Sequence, residues 1–335
     1  MSQRTESRVF LVIGSNSFSG ANFVDHLLSN GHDVIGISRS DEPQSVFLPY
    51  KMNKSAKKFK FKQCDIVKDR DQFGKILKDL KPEYVVNFAA QGMVAQSWLR
   101  PQDWYMTNVV AQSSIIQDIA SLPNLKKYLH FTTPEVYGST AGWIKETRQF
   151  MPSTPYAISR AAMDWHLFAL SENFGFPVVF SRAANIYGPG QQLYRIIPKT
   201  ILCGRLNKKL KLDGGGISER SFIHITDTVR ATYSIVMDGL IGETYHVSGR
   251  SALTIRALVE KIVQQMNLKF EDVVEEVPER TAKDQAYLLE SQKIRDLCKW
   301  NDEISLESGI TETIDWVDKN LSELSRYPMD YIHRS

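Results

Sequence analysis

Val9-Phe10-Leu11-Val12-Ile13-Gly14-Ser15-Asn16-Ser17-Phe18-Ser19-Gly20 lies near the start of the sequence. Five consecutive apolar residues suit a strand buried on both faces of a parallel sheet. Beyond the turn, Val24, Leu27 and Leu28 fall on one helical stripe, with Gly31 past its end, and Asp33 to Ser38 reads as a second strand. This is a βαβ unit. Its turn sits at a strand's carboxyl end and opens a helix whose N-terminus attracts phosphate. Gly14 permits the tight turn and Gly20 the close helix–strand packing, while the middle position of GxxGxxG is Ser17, small enough for a pyrophosphate to approach. An ordinary strand–helix turn is the alternative, and the position in the chain favours a dinucleotide.

The alternation continues outward. Lys58 to Ile66 reads as a strand, and Asp69 to Leu80 as a helix carrying Phe73, Ile76, Leu77 and Leu80, stopped by Pro82. Tyr84 to Ala89, Tyr128 to Thr132 and Val178 to Ser181 are further strands, separated by helices over roughly 103–121 and Tyr156 to Phe174. Such alternation predicts an α/β fold, a parallel sheet with helices on both faces. After about residue 183 the pattern loosens. Gly188-Pro189-Gly190 and Gly214-Gly215-Gly216 mark turns around a helical segment Ile196 to Leu206. Ser221 to Ile225 and Thr244 to Val247 read as strands, Asp227 to Gly239 and Thr254 to Met266 as helices. This half is expected to be a smaller domain whose chain returns once to the sheet.

Composition narrows the class. Of 335 residues 42% are hydrophobic and 24% charged, as in soluble globular proteins, and a net charge of +3 is too small to argue for nucleic acid. The six lysines of Lys51 to Lys62 read as a solvated loop and strand edge. Met1 to Ser7 lacks a signal-peptide core and no apolar run approaches a membrane span. Three scattered cysteines and seven histidines without ligand spacing indicate neither a disulfide framework nor a metal site. The expectation is a reduced, cytoplasmic, metal-free protein.

The second strand ends Ile37-Ser38-Arg39-Ser40, with no carboxylate at its tip although Asp41 lies close by. A hydroxyl and a guanidinium suit a ribose 2′-phosphate, which favours NADP over NAD. Cys64-Asp65-Ile66 ends the next strand, within reach of an adenine. Further on, Thr133 and Glu135 stand at the end of an apolar strand, and Tyr156 and Arg160 lie one helical turn apart. Singly, Thr133 and Glu135 read as a strand end and a solvated loop acid. Together beside a cofactor turn, the four read as a catalytic set.

Gly14-x5-Gly20, Asn87-Phe88-Ala89-Ala90, Tyr156-x3-Arg160 and Tyr187-Gly188-Pro189 together resemble the extended short-chain dehydrogenase/reductases, over nearly the whole chain from Val9 to about Trp316. Thr133-Pro134-Glu135-Val136-Tyr137-Gly138 is most similar to the nucleotide-sugar 4,6-dehydratases of the GDP-mannose and dTDP-glucose types. The resemblance implies a Rossmann-like doubly wound parallel sheet over 8–182, with 221–247 returning to it. A mixed C-terminal domain over 183–220 and 248–330 would bind the nucleotide sugar.

The resemblance also implies roles. Tyr156 would take the C4 hydroxyl proton of a nucleotide-diphosphate hexose, its pKa lowered by Arg160, and Thr133 would bond the same oxygen. Glu135 would remove the C5 hydrogen. Gly14, Asn16, Ser17, Phe18, Gly20, Ser38, Arg39, Asp65, Ile66, Ala89, Ala90, Gln91 and Asn108 would hold NADP, or NAD as the alternative. Asn185, Arg220 and Arg280 would meet the substrate. Helices 103–121 and 156–174 would pair two subunits in a homodimer or a higher homo-oligomer, with no nucleic-acid or membrane partner. The chain departs from the pattern twice: Arg160 replaces a lysine, and Pro134 stands where some relatives carry an Asp that protonates the leaving hydroxyl. A nucleotide-sugar 4-epimerase needs no base at C5, so Glu135 separates it from a dehydratase. A catalytically silent NADP-binding scaffold is the reading from another class.

Overall fold

The computed structural model describes residues 7–278 and 286–333. The first half contains β1 (Val9–Ile13), α1 (Phe18–Ser29), β2 (Asp33–Ser38), β3 (Phe59–Gln63), α2 (Arg70–Leu80), β4 (Tyr84–Asn87), α3 (Pro101–Tyr105), α4 (Gln112–Ala120) and β5 (Lys127–Thr132). β6 (Trp143–Ile144), α5 (Pro155–Phe174), β7 (Val178–Ala183), β8 (Asn185–Tyr187), α6 (Ile196–Arg205), β9 (Leu210–Asp213), β10 (Glu219–His224), α7 (Ile225–Asp238) and β11 (Thr244–Val247) follow. The rest comprises β12 (Ala252–Thr254), α8 (Ile255–Gln265), α9 (Phe270–Val273), β13 (Val274–Val277), β14 (Ala286–Leu289), α10 (Gln292–Leu297), α11 (Leu306–Lys319) and α12 (Leu321–Leu324). The expected helix over 103–121 is α3 and α4 joined by a π-helical turn, Met106–Ala111.

Seven parallel strands form the large sheet in the order β11-β7-β5-β4-β1-β2-β3. Its centre explains the opening sequence. Phe10 and Val12 pack on one face with Val24, Leu27 and Val229, and Leu11 and Ile13 on the other with Ile115, Met163 and Leu167. Phe10, Leu11, Val12 and Ile13 are fully buried, each contributing about 1.5–3 kcal/mol. Strand order reverses between β1 and β4, where Ile13 aligns with Ile37 on one side and Asn87 on the other. Ligands of such sheets bind outside the carboxyl ends at that reversal.

The segment expected to return to the sheet divides. α7 covers the large sheet and β11 joins it, but β10 pairs in a second, mixed sheet of order β12-β10-β14-β6, with β8 also on β10. β10 leaves the large sheet because Arg220 and Ser221 pair with Leu253 and Ala252 of β12 and Arg220 with Tyr287 of β14. A small β9–β13 pair and helices α6, α8 and α11 complete this half.

α5 carries the central catalytic candidates. Thr154 caps its N-terminus by accepting from the Ala157 N–H, Pro155 takes the first position, and Gly175 ends it at φ +68°. Met163 and Leu167 pack against the large sheet, Ala161 packs with Val136, Tyr137 and Leu289, and Ala157 is buried, while Ile158 and Trp165 remain exposed, as do Met106 and Val110 on the neighbouring helical turns.

Candidate active site

A cleft of about 1180 Å³ lies at the carboxyl ends of the strands, between the two sheets. That exceeds the roughly 300–1,000 Å³ of an ordinary small-molecule site and suits two ligands side by side. One wall is the first turn. A side chain at Gly14 (φ +83°) would lie 2.7 Å from the Ala89 nitrogen, and one at Gly20 only 2.1 Å from the Gly14 oxygen, so both positions demand glycine. Ser17 is the N-cap of α1, its hydroxyl accepting from the Gly20 N–H at 3.0 Å. The Asn16 amide group donates to the Ser40 and Asp41 carbonyls, and its Oδ1 is buried without a hydrogen-bond partner among the described residues.

Asn16, Ser17, Phe18, Arg39, Ala90 and Gln91 line the cleft, whereas Gly14, Gly20, Ser38, Asp65, Ile66, Ala89 and Asn108 do not. Ser38 accepts from the Asn16 N–H and so shapes the turn. Ile66 is buried with Ile37 and Phe73, and Asp65 accepts from the Val67 N–H. Asn108 is fully buried and supports the Ala89–Gln91 loop. Its Oδ1 accepts from the Gln91 N–H at 2.7 Å, and its amide donates to the Gln91 carbonyl and the Ser159 hydroxyl.

Opposite stand the four catalytic candidates, all on the cleft wall. Thr133-Pro134-Glu135 reads locally as N-cap, N1 and N2 of a 3-10 turn (Pro134–Tyr137), with Thr133 Oγ1 accepting from the Glu135 N–H. This turn brings Glu135 into the cleft where Tyr156 points, and Tyr156 hydrogen-bonds Thr133. The expected lowering of the Tyr156 pKa is not what the structure holds. Burial, reinforced by the Glu135 charge, pushes the phenol above its ordinary value, and Arg160, Thr133 and Arg195 only partly oppose this.

Arg160 is buried and anchored from below. Its Nη2 donates to the Phe131 carbonyl and lies 3.3 Å from His130 Nε2, while Nε and Nη1 have no hydrogen-bond partner among the described residues. Beneath it, Asp164 accepts from Arg182 at 2.5 Å and from Thr132 Oγ1 at 3.0 Å, and its other oxygen lies 3.5 Å from His130 Nε2. Burial first, then Arg160 and Arg182, hold His130 neutral. The Arg182 guanidinium also lies 4.6 Å from the Tyr137 ring centroid and 4.9 Å from that of Phe150.

On the substrate side Asn185 lines the cleft, donating to the Ser221 carbonyl at 3.2 Å. Arg220 is buried behind Tyr287, its guanidinium 4.2 Å from the ring centroid. Arg280 lies outside the described residues. Sequence reasoning missed Tyr287, whose hydroxyl is 3.4 Å from Glu135 Oε1 and 3.3 Å from Asn185 Oδ1. It also missed a crossing strap, residues 327–333. Asp330 pairs with Lys199 of α6 at 2.7 Å, and Gln91 donates to Tyr331 at 3.1 Å. His333 stacks on Trp104 at 5.0 Å and meets Asp103 of α3 at 2.8 Å. Among the described residues no His, Cys, Asp or Glu cluster could hold a metal, and no helix is long and apolar enough to cross a membrane.

Known proteins share this architecture. The family model of GDP-mannose 4,6 dehydratase matches residues 11–313. The chain is 28% identical over 326 residues to a probable dTDP-glucose 4,6-dehydratase of Sinorhizobium fredii, with 92% of this chain and 93% of that one aligned. It is 30% identical over 269 residues to dTDP-D-glucose 4,6-dehydratase of Homo sapiens, covering 78% and 76%. The dTDP-glucose 4,6-dehydratase of Streptomyces venezuelae, solved with NAD and TYD bound, has the same fold with a TM-score of 0.87 at 26% identity, covering 94% and 98%.

Proposed function

The chain belongs to the GDP-mannose 4,6-dehydratase family, and from that premise we propose that it converts a nucleotide-diphosphate hexose into its 4-keto-6-deoxy derivative by internal hydride transfer. The observation that carries this reading is Glu135, in one cleft with the hydrogen-bonded pair Thr133–Tyr156. Epimerisation at C4 needs only that pair. A carboxylate beside it supplies the base that dehydration requires.

The residues present fit a nicotinamide dinucleotide. Gly14 and Gly20 form a cradle that any Cβ would fill, and the unpartnered Asn16 Oδ1 and Arg160 Nε and Nη1 suit hydroxyl- and phosphate-bearing groups. When bound, the dinucleotide supplies a hydride acceptor and a positive ring that adds to Arg160's pull on the Tyr156 phenol. Thr133 and Tyr156 hold the C4 oxygen, and Tyr156 takes its proton as the phenolate that the two positive charges together must produce against burial and the Glu135 charge. Glu135 takes the proton from C5, acidified by the neighbouring carbonyl, and loss of the C6 hydroxyl as water follows. The NAD held by the Streptomyces relative favours NAD, and Arg39 at the tip of β2 supports NADP as the alternative. The exposed Met106, Val110, Ile158 and Trp165 support a homodimer through these helices.

The test is incubation of the purified protein with UDP-, GDP-, dTDP- and CDP-hexoses, followed by mass spectrometry. Loss of one water from a sugar nucleotide is the expected result. An isomer of unchanged mass would establish the epimerase, and a bound dinucleotide without turnover of any sugar would establish the scaffold.

A further inference from the structure

Pro134 has no proton to give, so the group that protonates the departing C6 hydroxyl must be found elsewhere in the cleft. Glu135 can do so only if its surroundings accept it both as carboxylate, before it takes the C5 proton, and as carboxylic acid afterwards. A fixed donor such as an arginine favours the carboxylate alone. A hydroxyl that can turn to a second acceptor favours the carboxylate less strongly, because it keeps a hydrogen bond when the acid forms.

Tyr287 is such a hydroxyl. It is buried on β14, cross-strand from Arg220, with its oxygen 3.4 Å from Glu135 Oε1 and 3.3 Å from Asn185 Oδ1. The Asn185 amide group donates to the Ser221 carbonyl at 3.2 Å, which fixes Oδ1 as the atom facing Tyr287. One phenolic proton therefore faces two acceptors. Burial above all, with the Glu135 charge, keeps the phenol protonated, outweighing Arg220 and Arg195.

We propose that Tyr287 and Asn185 form a hydroxyl rotor that lets Glu135 act as both base and acid in one turnover, a role that rests on the dehydratase reading. With Glu135 ionised, the Tyr287 proton points at its carboxylate. Glu135 then takes the proton from C5, the C–H electron pair moves toward the C4 carbonyl, and the Tyr287 proton turns to Asn185 Oδ1. Protonated Glu135 gives its proton to the C6 oxygen as the C5–C6 double bond forms and the C6–O bond breaks, releasing water. Glu135 returns to carboxylate, the rotor turns back, and no proton is gained or lost. Tyr287 is a positioning residue acting through Glu135. The Glu135 charge acts on Tyr156 of α5 and Tyr287 of β14; Arg195, before α6, opposes it at both phenols, Arg160 at Tyr156, and Arg220 of β10, which hydrogen-bonds Tyr287, at Tyr287.

Tyr287→Phe keeps the ring on Arg220 and removes only the hydroxyl. Two readouts decide the matter. In dinucleotide-loaded protein without sugar, the Glu135 carboxyl is titrated by carbon-13 NMR and assigned with Glu135→Gln. Loss of the donor should move its midpoint upward in Tyr287→Phe. An unmoved midpoint would sink the proposal whatever the substrate proves to be. In turnover, kcat should fall about 10- to 100-fold with KM within threefold. The acid limb of the pH profile should shift with the carboxyl midpoint, and reduced nicotinamide should accumulate at 340 nm because C4 oxidation outruns elimination. Turnover at the wild-type rate with an unshifted limb would overturn the rotor. Absence of dehydration in the wild type would instead refute the dehydratase reading, and the NMR titration would still decide whether Tyr287 governs Glu135.

Discussion

Asp164 is fully buried beneath the cleft, between two buried guanidiniums and a histidine held neutral. Arg182 bonds it at 2.5 Å, and Thr132 and His130 link it to the strand end that anchors Arg160. Asp164→Ala removes the carboxylate and leaves Arg182 buried against only the Tyr137 and Phe150 rings. Removing one partner of a buried ion pair costs about 3–5 kcal/mol, because the remaining charge is stranded. Unfolding entropy of about 2.1 cal/mol/K per residue gives roughly 0.7 kcal/mol/K for 335 residues. The melting temperature should therefore drop by about 4–7 °C in differential scanning calorimetry. Replacing both partners, Asp164→Leu with Arg182→Met, should recover most of that loss, since an apolar pair of similar volume strands no charge. The reasoning fails if Asp164→Ala melts within 1 °C of the wild type, or if the double variant is no better than the single.

Three further outcomes follow from the geometry. Arg39→Ala should weaken NADP binding by about 10- to 100-fold and NAD binding by less than threefold, read by fluorescence titration of both dinucleotides; equal effects would remove Arg39 from the 2′-phosphate. His224, lowered to about 4 by burial, and His130 and His246, held well below the ordinary histidine value chiefly by burial, are neutral when folded. The unfolded chain, with histidine near 6.5, then binds more protons as pH falls below that value, so stability declines with acid by up to about 4 kcal/mol between pH 6 and 5 for the three. Urea midpoints that stay level from pH 7 to 5 would contradict this. Finally, Tyr331→Ala with His333→Ala should raise the dinucleotide dissociation rate at least several-fold in a gel-filtration retention assay, whereas equal retention would show that the strap does not guard the cleft.

Much of this was legible in the chain because its signals are local. The β1 run, Gly14, Gly20, and the Thr154–Pro155 start of α5 declare themselves within a few residues. Thr133, Glu135, Tyr156 and Arg160 were legible as a set because strand-end turns converge at the reversal point of a parallel sheet. Tyr287 was not. It reaches Glu135 only through β14, four residues long with no useful alternation, pairing with β10 some 67 positions away. The strap was equally silent, being an irregular segment whose partners lie on α3, α6 and the Ala89–Gln91 loop. The Tyr156 pKa was misjudged for a different reason: a neighbouring cation is visible in sequence, and the depth of burial is not.

The strap also bears on how such an enzyme lives with its cofactor. A dehydrogenase must release spent dinucleotide after every cycle, and a latch over the opening would throttle it. A reaction that returns the hydride to the molecule it came from has no such traffic. For it, a latch tied by Asp330 to α6 and by His333 to α3 carries no kinetic penalty. A dinucleotide held behind such a strap would resemble a part fitted at assembly more than a reagent drawn from the cell.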